Sequence, residues 1–138
     1  AARWQKLCWN VPFNGLTVTG GGITTDIVMN DPDLRATAEG LIRELVAAAN
    51  VDLAQHGTPA RLDADEVVES MMTRTDDMAA YKPSTMIDFV EGREMEVHAI
   101  FEAPRQRAAE LNVETPLIAA IAGQMRVLGA RALEQRPV

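Results

Sequence analysis

Cysteine occurs once in the 138 residues, at Cys8. No internal disulfide framework can therefore hold the fold, and a reducing, cytoplasmic setting is the expectation. Histidine is nearly as scarce, with only His56 and His98, and neither belongs to an H-E-x-x-H pattern or sits with a cysteine pair. No metal centre is expected. Basic residues are outnumbered 13 to 20 by acidic ones, for a formal charge of −7. A phosphate-backbone binder needs a concentrated basic surface, so nucleic acid is not an expected partner. No apolar run approaches the roughly 18 residues of a membrane span, and no signal peptide is recognised. Hairpin turns between β-branched runs are missing as well. The stretch "GGGITT", residues 20–25, lacks the third glycine of a dinucleotide fingerprint and has no βαβ pattern around it. It reads as a flexible connector between helices.

What remains is ordinary globular material, 47% hydrophobic and 24% charged, enough for one domain with its own core over residues 1–138. The chain opens on Ala1 rather than Met, and "AARWQKL" reads as already helical, so a longer protein is expected around it. Helical periodicity dominates. A first helix is expected over residues 2 to about 18, kinked at Pro12, whose ring meets the carbonyl of Cys8. "ITTDIVM" supplies a turn or two more. Asp31 is an expected N-cap with Pro32 at the first helical position. Leu34, Ala38, Leu41, Ile42, Leu45, Val46 and Ala49 then mark one apolar face, ended by Gly57. Asp63 and Glu66 resemble a capping box for a helix near 64–79. Ser84–Val90 reads as a short helix ending at Gly92. Residues 93–99 alternate and could form a strand, but Val97, Ile100, Phe101, Ala108 and Leu111 favour a helix from about 95 to 111. Thr115-Pro116 would cap a last helix with Leu117, Ile121, Met125 and Leu128 on its face. The fold class is all-α.

One segment raises a chemical question. In "KLCWNVPFNGL", residues 6–16, Lys6, Asn10 and Asn14 recur every fourth residue between bulky apolar neighbours. On a helix they form a polar stripe about 12 Å long, since each step of four turns the side chain by only about 40°. Two readings stand. Lys6 could snorkel while the asparagines satisfy backbone groups near Pro12. Alternatively the stripe is polar lining in a packed wall. Cys8, off the stripe, is read as a buried, inert thiol. A second polar constellation, "KPSTMIDFVEGREMEVHAI" at 82–100, favours the lining.

Together these stretches resemble the C-terminal domain of the ketopantoate reductase (2-dehydropantoate 2-reductase) family. "KLCWNVPFNGLT" is similar to the family's K-L-x-x-N-x-x-x-N-x-L-T segment. "PSTMIDFVEGREMEVHAI" is similar to its P-S-M-x-x-D-x-x-x-G-R-x-T-E-I-D-x-I signature, and "AAELNVETPLIAAIAGQMRVL" to its closing segment. The resemblance implies a helical bundle of the 6-phosphogluconate dehydrogenase C-terminal-like type. It also implies a partner N-terminal Rossmann domain that binds NADP(H), a small 2-keto acid substrate, and a place in pantothenate biosynthesis. Lys6 matches the lysine that supplies a proton to the carbonyl oxygen, and Glu96 the glutamate beside it. Asn10, Asn14 and Ser84 match substrate-contacting residues, and Asp88 the aspartate of the second motif. His98 stands where the family usually has Asp, and Met95 replaces a common Thr. Without a Rossmann half, this chain alone is expected to be inactive. The competing reading is a non-enzymatic helical module for dimerisation, with Gly123 and Gly129 allowing close helix contacts.

Overall fold

The computed structural model describes residues 1–134. Every regular element among the described residues is helical. Helix α1 runs Ala2–Thr19, α2 Thr25–Asn30, α3 Pro32–Gln55, α4 Ala64–Asp77, α5 Ser84–Val90, α6 Ala103–Glu110 and α7 Pro116–Glu134. A π-helical turn, His98–Glu102, leads into α6. Among the described residues no helix is long and apolar enough to cross a membrane.

α1 is the axis of the bundle, packed by α3, α5, α7 and the π turn. From Val11 to Val18 every residue of it is buried, and the helix passes through Pro12 without interruption. Its closest approach to α7 requires Gly15, where an added Cβ would lie 2.3 Å from Ile121 Cδ1 and 3.0 Å from Phe101 Cε1. The core gathers Phe13, Leu41, Ile42, Leu45, Phe101, Ile118 and Met125 around that axis.

Local signals explain most boundaries. Asp31 accepts from the amides of Asp33 and Leu34 and starts α3, and Asp63 accepts from Glu66 N–H and starts α4. Gly57 and Gly92 follow α3 and α5 with φ of +73° and +72°, conformations that cost little without a Cβ. The connector at Gly20–Gly22 closes α1: its three amides donate to Leu16, Val18 and Thr17 carbonyls.

Three expectations need correction. The helix drawn from about 95 begins later, because residues 93–96 carry no regular structure. It enters through the π turn, where Ala103 N–H reaches back to the carbonyl of His98. Pro104, which has no N–H to give, sits just beyond, at the start of α6. The inner face of α7 is Ile118, Ile121, Ala122 and Met125, whereas Leu117 is exposed and lies against Gly40 of α3. The first turn of α7 is held in trans: Glu44 of α3 accepts from Leu117 N–H at 3.0 Å and Ile118 N–H at 2.9 Å. A carboxylate there meets both free amides and the positive end of the helix dipole.

Candidate active site

The exposed edge of α1 faces α4 across a groove of about 530 Å³ lined by Gln5, Lys6, Trp9, Asn10, Ser70, Met71, Arg74, Met78 and Tyr81. Its apolar wall is tightly fixed. Trp9 donates its indole N–H to Thr75 Oγ1 at 3.0 Å, and Thr75 donates in turn to the Met71 carbonyl at 2.7 Å. The Trp9 ring lies 5.3 Å from Phe13 and 6.0 Å, edge-on, from Tyr81. Tyr81 is placed by its backbone: its carbonyl accepts from Thr25 N–H at 3.0 Å, and its N–H donates to Thr25 Oγ1 at 3.2 Å. A turn through Ala79, φ +53°, makes that return possible.

Lys6 is exposed on the groove's rim and Asn10 is half-buried one turn along. Asn14 is buried, and its position serves two elements at once. Its Nδ2 lies 3.5 Å from Asn10 Oδ1, and its Oδ1 accepts from Thr85 N–H at 3.1 Å. The stripe thus ends as a brace that aligns Asn10 and ties α1 to the first turn of α5, next to the exposed Ser84. Asp88, also on α5, is held by Arg93 at 3.0 Å, which fastens the loop after that helix.

Glu96 is exposed and lines a different cavity, of about 660 Å³, with Glu94, Met95, His98, Glu102, Arg126 and Gly129 among its walls. The groove therefore brings together Lys6 and Asn10, with Asn14 behind them, but includes neither Ser84 nor Glu96 in its lining. Cys8 is fully buried and unpaired, and burial pushes its thiol up to about 12, a poor nucleophile at neutral pH. His56 sits exposed at the end of α3, its Nδ1 2.8 Å from the Asp52 carbonyl. His98 lies 3.6 Å from Glu102.

Sequence reasoning missed Arg74, Tyr81 and the two methionines of the groove. Nothing in their spacing singles them out, since they reach the site only through the packing of α4 on α1.

The glycine connector offers nothing to a nucleotide phosphate, because the three glycine amides are already engaged by α1 carbonyls.

Comparison with known proteins identifies the family of the domain. Residues 1–129 match the family described as "Ketopantoate reductase PanE/ApbA C terminal". A 2-dehydropantoate 2-reductase from Nostoc sp. is 35% identical over 129 residues, which cover 94% of this chain and 38% of that protein. The crystal structure of 2-dehydropantoate 2-reductase from Geobacter metallireducens superposes with a TM-score of 0.81 at 34% identity, covering 95% of this chain and 40% of that one. A dimeric ketopantoate reductase from Staphylococcus aureus gives a TM-score of 0.79 at 25% identity over 94% of this chain and 43% of its own. The chain thus spans about two fifths of the length of these relatives.

Proposed function

Since the chain belongs to the ketopantoate reductase family through its C-terminal domain, we propose that residues 1–138 form the substrate-binding, catalytic-lysine domain of a 2-keto acid reductase. Ketopantoate, reduced to pantoate in pantothenate biosynthesis, is the favoured substrate. The partner is an N-terminal Rossmann domain carrying NADP(H), which this chain's own residues do not hold. A homodimer like that of the Staphylococcus relative and a cytoplasmic location complete the reading.

The observation that carries the proposal is the groove itself. Lys6 and Asn10 stand over an aromatic wall, and among the described residues Lys6 has no carboxylate within ion-pair distance. Reduction of a ketone builds negative charge on its oxygen. An ammonium at that oxygen stabilises the charge and delivers a proton to it. Asn10, aligned by Asn14, donates to the same oxygen or to a substrate hydroxyl. Ser84, at the exposed start of α5, is a substrate contact, while Asp88 steadies that helix through Arg93. Glu96 sits outside the groove, and its role as the lysine's partner requires the substrate and the second domain to span the two cavities. The isolated chain is inactive because the reductant is bound elsewhere.

The test is Lys6→Ala in the full-length reductase. Turnover should fall by at least about 10²-fold, with cofactor affinity unchanged, because the ammonium acts on charge that appears in the transition state. A well-folded Lys6→Ala protein working within about threefold of its parent would remove lysine from the mechanism.

A further inference from the structure

The groove holds a second cation besides Lys6. Arg74 lies exposed in the last turn of α4, on the wall that faces α1. Arg35, Arg43, Arg93, Arg107 and Arg126 each meet a carboxylate. Among the described residues Arg3, Arg61, Arg74, Arg105 and Arg131 meet none within ion-pair distance, and of these Arg74 is the one that lines the groove, although Glu69 and Asp77 share its helix and line the depression on its other side. Its Nη2 lies instead 3.1 Å from Met71 Sδ, and Met71 borders the groove but not that depression. The contact sets one guanidinium nitrogen beside a residue of the groove, while Arg74 borders both depressions. A thioether is a weak acceptor, so nearly all five N–H donors stay free for a ligand.

We propose that Arg74 holds the carboxylate of the 2-keto acid and so determines specificity for acids over neutral ketones, leaving the ketone oxygen to Lys6. This rests on the reductase reading of the same groove. The two cations suit different parts of one small molecule. The planar guanidinium fork matches a carboxylate through two parallel hydrogen bonds, whereas an ammonium is a compact point charge suited to a single oxygen that gains charge. In a 2-keto acid the carboxylate and the ketone sit on adjacent carbons, so cations on facing walls engage both at once. The ring of Trp9, held to α4 through Thr75, lines the same groove and offers an apolar surface to the carbon skeleton of the acid.

The test titrates the chain with ketopantoate and, separately, with its methyl ester, following arginine Nε–H and tryptophan indole signals by ¹H–¹⁵N spectroscopy. Ketopantoate should shift the Arg74 and Trp9 signals saturably. Arg74→Gln should weaken that binding by about ten- to hundredfold, the usual range for a lost charge-assisted hydrogen bond. Arg74→Lys should fall between, since it keeps the charge and loses the fork. The ester should bind the parent no better than it binds Arg74→Gln. Thermal unfolding of Arg74→Gln should match the parent, because the side chain is exposed. Equal affinity of parent and Arg74→Gln for ketopantoate, equal affinity of the parent for acid and ester, or no binding by the parent would each overturn the proposal. The reductase reading is judged separately, by the turnover of Lys6→Ala.

Discussion

Two polar clusters flank the first turns of α1, and they are built on opposite plans. On one side Asp52 of α3 accepts from Trp4 Nε1 at 2.9 Å and from Arg107 Nε at 2.9 Å. Arg107 also reaches Gln55 Oε1 at 2.7 Å and Glu110 at 3.0 Å. Burial works to raise the Asp52 carboxyl, but the hydrogen bonds from Trp4 and Arg107, with the charge of Arg107, outweigh it and hold the group below the usual carboxylate range. Trp4 and Arg107 each have an acceptor there. On the other side Lys6 and Arg74 share a groove with Asn10 and Ser70, and among the described residues neither cation has a carboxylate partner. A cluster that serves the fold closes on itself. In the proposed function the donors left open are the ones that meet an acid.

The contrast predicts opposite responses to substitution. The largest stability effect belongs to the closed cluster: Asp52→Asn should cost about 1–2 kcal/mol at neutral pH, since it weakens hydrogen bonds to a charged acceptor and leaves Arg107 underpaired. The sign with pH follows from the lowered folded value. The Asp52 contribution is complete above the ordinary carboxylate value of about 3.9 and fades as pH falls from there through the folded value. Urea unfolding between pH 7 and 2.5 should therefore show a shallower acid loss in Asp52→Asn than in the parent. A smaller effect is expected at Glu44→Gln, which keeps one acceptor at the start of α7 but loses the charge facing the helix dipole. Thermal denaturation should report about 0.5–1 kcal/mol. Smallest of all, Lys6→Ala should change stability by less than about 0.5 kcal/mol, as for an exposed unpaired side chain.

The bundle was legible because its cues are local. Asp31 with Pro32, the Asp63 cap, Gly57, Gly92 and the apolar face of α3 all act within one or two turns of themselves. Non-local features escaped. Glu44 caps α7 across 73 residues of sequence, and no spacing announces it. The π turn before Pro104 and the rotation that exposes Leu117 depend on what packs against each helix. The candidate site divides the same way. Lys6, Asn10 and Asn14 were visible as a stripe because one helix carries them. Arg74 and Tyr81 became visible only once α4 was set against α1. Asn14, which the stripe alone marks as lining, is buried with its oxygen engaged by Thr85, a distinction that requires knowing where α5 begins. Glu96, joined to Lys6 by motif resemblance, lies in a separate cavity.

In the proposed function a 2-keto acid binds this domain in the open groove, rather than in the Glu96 cavity or at the closed Asp52 cluster. A chemical-shift map of the chain titrated with ketopantoate tests it most directly. Saturable shifts are expected at Lys6, Trp9, Asn10, Arg74 and Tyr81, with Trp4 and Arg107 unmoved. Shifts confined to Glu94–Glu102 and Arg126, with the groove silent, would contradict it.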